Sequence, residues 1–350
     1  MPSIEKIRIA VVGAGSFGRN HARVYAELQR AGQPVELAAI VDTNLVRAEA
    51  LVSEFGLTAR AVASVGELIA AGGIDAASVA VPTVHHLDVA RALMQAGIDV
   101  LIEKPLAPSL AEADELVGIA QRSGRVAMVG HLERFNPAIR ATLPLITQPM
   151  FFEVHRLSIF TPRALDVDVV LDLMIHDLDI VLWLVRSPLR AVHAVGIPIL
   201  SDKVDIANVR LEFESGCVAN LTASRVSTER VRKLRFFQPR QYVSVDYSRR
   251  DVFALTVQLA AESKADRVAP AVPGFDISLP AGVQLIPSKP QVTAEEPLHA
   301  ELRAFLESVR SRSASPVPLN EARASLALAL QILDTIAEHA QRAKLDAVAR

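Results

Sequence analysis

The stretch Lys6–Leu28, KIRIAVVGAGSFGRNHARVYAEL, constrains the fold more than any other part of the chain. Its β-branched run Ile7–Val12 reads as a buried strand, and the residues from about Ser16 onward read as a helix. Gly13, Gly15 and Gly18 join the two in G-x-G-x-x-G spacing. The first glycine permits a tight turn, the second lets a pyrophosphate approach the backbone, and the third lets helix and strand pack closely. The next strand, VELAAIVD, ends in Asp42, 24 residues beyond Gly18. A carboxylate there accepts hydrogen bonds from ribose hydroxyls and repels an added ribose phosphate. Asp42 could instead cap the helix that follows, a task that Thr43 or Asn44 can also perform. The context predicts NAD as cofactor, bound by Gly13, Gly15, Ser16, Phe17, Gly18 and Asp42, with Arg47 near the adenine.

Strands and helices continue to alternate. AASVAVP leads into TVHHLDVARALMQAG, and DVLIEKPL leads into APSLAEADELVGIAQRSG, where Ser109 and Glu112 have capping-box spacing. VAMVGHLERFNPAI then opens with another buried-type strand. This alternation predicts a parallel, doubly wound α/β sheet, a Rossmann domain over residues 1–125, whose ligand lies beyond the carboxyl ends of the strands. Pro82, Thr83, Glu103, Lys104 and His131 fall at those ends. Pro82, Thr83, His86, Glu103 and Lys104 join the expected cofactor neighbours; of the adjacent pair, His85 is placed on the surface.

Beyond about Met150 the pattern changes. VRLEF, a turn at ESG and CVANLTASR make a hairpin, and LRFFQ, QYVSVDY and VFALTVQLA read as further strands. Residues 126–350 are therefore expected to form an α+β domain with a large open, mostly antiparallel sheet, one face of which needs a cover. A helix or a second copy of the chain can supply it, and a dimer or tetramer formed through that sheet is expected. DRVAPAVPGFDISLPAG reads as irregular, and PLHAELRAFLESVRS and LNEARASLALALQILDTIAEHAQ read as two closing helices.

A formal net charge of −2 gives no electrostatic bias toward nucleic acid. The apolar runs fall short of the roughly 20 residues a membrane helix needs. No secretion signal is legible at the start, and Cys217 is the one cysteine, so a cytoplasmic location and no internal disulfide are expected.

One segment resists a purely structural reading. DLMIHDLDIVLWL, residues 172–184, is mostly apolar yet carries Asp172, His176 and Asp179 at helical spacing on one face. Burying such groups is costly unless each has a partner. Asp172 could cap the helix, His176 could be a satisfied core histidine, or the three could ligate a divalent ion, although no second ligand cluster accompanies them. No metal is expected.

The glycine fingerprint, VPTVHH at 81–86, IEKP at 102–105 and DLMIHDLD together resemble the glucose-fructose oxidoreductase, inositol dehydrogenase and rhizopine-catabolism (Gfo/Idh/MocA) family of nicotinamide-dependent sugar dehydrogenases. The resemblance implies that Lys104 stands beside the substrate hydroxyl and works with Asp172 and His176. The glycine that many relatives carry two residues after the aspartate is absent, since this chain reads Asp-Leu-Met-Ile-His. A narrower resemblance, in GHLERFNPAI, DLMIHDLDI, NLTASRVS and VRKLRFFQPRQYVSVDY, is to the branch that oxidises the 3-hydroxyl of UDP-N-acetylglucosamine. It implies a nucleotide-sugar substrate.

Residues 225–240, RVSTERVRKLRFFQPR, are rich in arginine with Glu229 their one acid, which suits a phosphate-bearing substrate or a charged strand edge kept from aggregating. Substrate contacts are expected from Lys104, Arg134, Asn136, Arg163, Asp172, His176 and Arg225, although Asn136 before Pro137 is also an ordinary helix start. A histidine with an ordinary pKa of about 6.5 can take and return a proton near neutrality. His176 is therefore the candidate base, with Asp172 orienting it and Lys104 stabilising the reacting oxygen; Lys104 could share the proton. Asp179 reads as structural or as the partner of an arginine. The competing readings are an inositol or free-aldose dehydrogenase and an NAD-binding sensor without turnover.

Overall fold

A computed structural model describes residues 6–161, 167–259 and 282–344. In chain order the elements begin with β1 (Ile7–Val12), α1 (Ser16–Arg30), β2 (Val35–Val41), α2 (Leu45–Glu54), β3 (Arg60–Val62) and α3 (Val65–Ala71). They continue with β4 (Ala76–Val79), α4 (His86–Gln95), β5 (Asp99–Glu103), α5 (Leu110–Ser123), β6 (Ala127–Gly130), α6 (Pro137–Thr142), β7 (Phe151–Ile159) and α7 (Ile175–Val185). After β8 (Leu189–Ile197) come β9 (Ile206–Phe213), β10 (Val218–Ser227), β11 (Val231–Gln238), β12 (Gln241–Asp246), β13 (Asp251–Leu259), β14 (Val283–Ser288), α8 (Pro297–Ser311) and α9 (Leu319–Ala343).

The chain divides into two compact units, one of residues up to Phe135 with Glu295–Ala327, the other of Asn136–Ala294 with residues from Leu328. The division expected after residue 125 thus falls after Phe135, because β6 completes the first sheet. The first unit also reclaims α8, which packs on α1.

The first unit is built on a six-stranded sheet in the order β3-β2-β1-β4-β5-β6, and every neighbouring pair is parallel. Its central strands are apolar on both faces, with Ile9, Ala10, Val11, Val100, Leu101 and Ile102 all buried, as a sheet covered on both sides requires. The strand order reverses between β1 and β4, which opens a crevice at their carboxyl ends. Ser109 Oγ caps α5 by accepting the Glu112 N–H, as the sequence spacing predicts.

The second unit holds an eight-stranded sheet in the order β14-β13-β12-β11-β7-β10-β9-β8. Neighbours are antiparallel except β7 and β10. Strict alternation sends Phe152 and Val154, Val209 and Leu211, Leu234 and Phe236, and Val243 and Val245 to one face. There they form a core with Val170, Met174, Leu178 and Val181 around α7 and with Leu328, Ile332 and Ile336 of α9. The opposite face carries Phe151 stacked on Phe237, Phe237 against Tyr242, and an ion pair of Arg235 with Glu153 at 2.9 Å. The hairpin expected around ESG is β9–β10, and the closing helices are α8 and α9. The irregular segment expected at 266–282 lies outside the described residues except for Gly282.

The apolar segment around Asp172 is not one uniform α-helix. Val170–Met174 forms a π-helical turn that runs directly into α7. Its entry is held by Val169 N–H to the Val204 carbonyl and by Val204 N–H to the Asp168 carboxylate, both at 2.9 Å. A buried bidentate ion pair fixes α7 to the sheet: Arg156 Nε and Nη2 donate to Asp177 at 2.6 and 2.9 Å. The Arg156 guanidinium also lies 5.2 Å from the centroid of the Tyr247 ring. Removing one member of a buried pair strands the other charge, at a cost of about 3–5 kcal/mol. Asp177→Ala is accordingly expected to lower unfolding stability in urea by that amount, and a loss below ~1 kcal/mol would show that the pair does not anchor α7.

Candidate active site

In the first unit Gly13 and Gly18 form the tight turn and the close helix packing that their spacing predicts. Gly13 has φ +101°, and a Cβ there would lie 2.5 Å from the Ala80 carbonyl oxygen. A Cβ on Gly18 would lie 1.7 Å from the Gly13 carbonyl oxygen, so α1 meets the turn at a distance open to glycine alone. A Cβ on Gly15 would meet nothing within 4 Å. That position is open toward solvent, as a backbone approached by a ligand must be.

The start of α1 has no side-chain cap and no acid in its first turn. Its N–H groups and positive dipole end are therefore suited to an anion. Ser16 and Phe17 are exposed there, Phe17 by 51%. Asp42 accepts the Ala14 N–H at 2.7 Å on one oxygen and the Asn44 N–H at 2.8 Å on the other. Each oxygen keeps a second lone pair for a ribose hydroxyl. Asp42 is not the helix cap, since α2 begins at Leu45 with Asn44 in the cap position. Arg47 is exposed in the first turn of α2.

Pro82 is exposed and Thr83 half-buried after β4. His86, expected beside the cofactor, is instead a buried tie. Its Nε2 lies 3.0 Å from the Val81 carbonyl oxygen, and its Nδ1 lies 3.1 and 3.2 Å from those of Pro105 and Leu106. The ring nitrogen that carries the proton donates to the backbone, and the ring lies between the turn after β4 and the turn carrying Lys104. Burial pushes the imidazole below its ordinary pKa, against the raising effect of the Val81 and Leu106 carbonyls.

Glu103 ends β5 and is buried. It accepts a hydrogen bond from His21 Nε2 at 2.9 Å and from the Lys104 N–H at 3.2 Å. Burial pushes this carboxyl up, but the His21 bond, the His21 and Lys104 charges and the Lys104 N–H outweigh it and hold Glu103 below the usual carboxylate range. It supports Lys104 and is too enclosed to reach a ligand freely. Lys104 itself is half-buried, and its peptide bond to Pro105 is cis. Arg134, expected at the substrate, is buried and paired with Glu321.

The second unit divides the polar face of the apolar segment. Asp172, in the π turn, and His176, at the start of α7, are half-buried, whereas Asp177 and Asp179 are buried. Asp177, next to His176, forms the buried pair with Arg156. Asn136, expected to contact substrate, caps α6 by accepting the Ala138 N–H at 3.1 Å and donates to the Tyr247 carbonyl at 3.3 Å. Arg225 is also structural: it is buried, 3.3 Å from the Asp205 carboxylate, and donates to the Val167 and Val204 carbonyls. Asp205 collects N–H bonds from Ile199, Leu200 and Ser201. Burial raises its pKa, but these bonds and the Ser201 hydroxyl bring it below the usual value. The arginine-rich stretch is thus no single patch, with Arg225 and Arg235 paired and Arg230 and Arg232 exposed. Arg163 lies outside the described residues.

His21 was not singled out in the sequence, nor was Glu301. The signal for His21 was its place three residues after Gly18, on the face of α1 that also buries Ala22 and Tyr25.

Comparison with known proteins agrees with this architecture. Residues 7–131 match the model of an oxidoreductase family with an NAD-binding Rossmann fold, GFO/IDH/MocA, and residues 147–241 match the model of that family's C-terminal domain. The chain is 42% identical over 242 residues to UDP-N-acetylglucosamine 3-dehydrogenase of Acidithiobacillus ferrooxidans, covering 69% of this chain and 74% of that protein. It is 28% identical over 238 residues to scyllo-inositol 2-dehydrogenase (NAD(+)) of Bacillus subtilis, covering 63% and 68%. A solved structure of the Acidithiobacillus ferrooxidans enzyme superposes with a TM-score of 0.80 at 33% identity, over 95% of this chain and 98% of the other.

The glycine geometry separates packing from binding. Gly15→Val is expected to leave thermal stability nearly unchanged and to weaken NAD binding at least ~10-fold, whereas Gly18→Ala is expected to destabilise the fold by more than ~1 kcal/mol. Calorimetric NAD titration and thermal unfolding of both variants check this. Wild-type NAD affinity in Gly15→Val would remove that backbone from the cofactor site.

Proposed function

The chain belongs to the GFO/IDH/MocA family of oxidoreductases, and from that premise we propose that it oxidises the 3-hydroxyl of UDP-N-acetylglucosamine to the 3-keto sugar. The observation that carries the substrate is the 42% identity, over 69% of the chain, to a dehydrogenase of that name. NAD is the cofactor. Gly13, Gly15 and Gly18 with the start of α1 would hold its diphosphate, and Asp42 its adenosine ribose. Bound there, it supplies the acceptor for the hydride that leaves the sugar carbon.

The proton must leave the hydroxyl as the hydride leaves carbon. His176 takes it, because its imidazole is half-buried and so reachable, and a ring nitrogen of histidine can take and return a proton. Asp172 orients the ring and stabilises the imidazolium that forms. The Lys104 ammonium donates a hydrogen bond to the reacting oxygen and lowers the cost of the negative charge that develops on it. The other acids of the same segment are left to structure, with Asp177 committed to Arg156.

The face of the second sheet that carries Phe151, Phe237 and Tyr242 is assigned to a second copy of the chain. No helix among the described residues is long and apolar enough to cross a membrane. The buried thiol of the one cysteine, Cys217, fits a reducing cytoplasm.

Absorbance of reduced nicotinamide is expected to rise when UDP-N-acetylglucosamine is added to enzyme and NAD. Turnover of myo- or scyllo-inositol without turnover of the nucleotide sugar would replace this reading with an inositol dehydrogenase. Lys104→Ala is expected to lower kcat/KM by at least ~10²-fold with NAD affinity within ~3-fold of wild type. A protein that turns over none of these substrates while binding NAD would be a sensor. Asp42→Ala is expected to reduce the preference for NAD over NADP, and an unchanged preference in kcat/KM would free Asp42 of its ribose role.

A further inference from the structure

Beneath Lys104 lies a second group of ionisable side chains that the proposed chemistry does not use. The ligand atoms of His21 in α1, Glu103 at the end of β5 and Glu301 in α8 all lie within 4.8 Å of one another, and all three residues are buried. Neither oxygen of Glu301 has a hydrogen-bond partner among the described residues. Two carboxylates buried this close do not both ionise, so the group holds a proton, and its location follows from the surroundings. Glu103 has the His21 bond, the Lys104 N–H and the Lys104 charge to stabilise an anion. Glu301 has none of these.

We propose that Glu301 is kept as a neutral carboxylic acid facing the Glu103 carboxylate, and that its proton, shared through one water, positions Glu103 and the turn that presents Lys104. Glu301 is then a positioning residue. The claim about Lys104 rests on the function proposed above; the claim about the proton does not.

Burial first, and then the Glu103 charge, raise the pKa of Glu301 well above the usual carboxylate range, while Glu103 stays below it. Among the described residues α1 and the short segment Leu132–Phe135 pack most extensively on α8, and Glu103 at the end of β5, followed by Lys104, also reaches it. From α1 come His21, Tyr25, Arg23 and Glu27. Tyr25 bonds Ser78, and Arg23 and Glu27 are engaged with Glu296 and His299. From the other segment come Glu133 and Arg134, with Arg134 paired to Glu321. Of these groups His21 lies within the cluster, and its Nε2 is engaged by Glu103. A buried acid without a partner is less favourable to the fold than an apolar side chain of its size, which directs attention to its effect on Glu103.

The first test needs no substrate. A folded-state pKa above the unfolded value gives stability that is complete below the unfolded pKa and is lost as pH rises toward the folded one. Between pH 5 and 8 the melting temperature of the wild type is therefore expected to fall relative to that of Glu301→Gln by ~2–4 °C per pH unit. Parallel curves for the two proteins would overturn the neutral acid. So would one equivalent of a divalent metal in the purified wild type that is absent from Glu301→Gln, since a metal would then hold both carboxylates ionised.

The second test addresses positioning. Glu301→Met removes the donor, so Glu103 binds a proton more readily, and the acidic limb of kcat/KM is expected to move up by about one pH unit. Glu301→Gln, whose amide donates in place of the acid, is expected to keep the wild-type profile. A Met variant that loses stability without moving the acidic limb would overturn the positioning role. Full activity in Lys104→Ala would instead overturn the role of Lys104, a result distinguishable from both.

Discussion

The first unit depends on one close approach, that of Gly18 in α1 to the Gly13 carbonyl. A side chain at Gly18 would begin 1.7 Å from that oxygen, so the helix would have to lift off the turn. Everything carried on the inner face of α1 would move with it. That face buries Tyr25, whose hydroxyl is 2.8 Å from Ser78 in β4, and His21, whose ring reaches Glu103 at the end of β5. The glycines thus do more than leave room for a diphosphate. They set the depth of the helix from which the support beneath Lys104 is built, and so couple the cofactor turn to the lysine turn through packing.

A complementary division of labour governs the second unit. Its apolar helical segment carries more acid than a buried helix tolerates, and the structure sorts those acids by environment. Asp177 gives both oxygens to Arg156 in the core, while Asp172 and His176 stay half-buried. The π turn at Val170–Met174 carries Asp172 and leads into α7, which carries His176 and Asp177. Such turns insert extra backbone into a helix and shift the side chains that follow them, and they often occur at functional sites. Here Asp172 lies within the turn itself, and the helix that holds Asp177 inward follows it directly.

Much of the fold was legible because its signals are local. Glycine spacing, continuous apolar strands and a capping serine specified the Rossmann sheet, and strict alternation specified β9 to β13. The short strand β3, with only partly buried residues, carried too weak a pattern to be seen. The return of α8 to the first unit was invisible for a different reason: its amphipathic face says that it packs, not on what. The π turn was equally hidden, since a segment apolar all round has no periodicity from which a change of pitch can be read, and the missing glycine after Asp172 was the one hint of an unusual entry.

The site was less legible than the fold, and the failures share a cause. Arg134, Asn136, Arg225 and His86 sit in segments where polar residues suggest a ligand, but each has found a protein partner. These are a glutamate for Arg134, a helix start for Asn136, an aspartate and two carbonyls for Arg225, and three carbonyls for His86. A linear sequence displays the donor and conceals the acceptor that a turn elsewhere supplies. The residues proposed for cofactor and substrate share a different property. Gly15, Ser16, Phe17 and Arg47 are exposed, Asp42 keeps free lone pairs, and Lys104, Asp172 and His176 are only half-buried. Partial exposure, rather than polarity in an apolar run, is the feature that the residues proposed for the chemistry have in common.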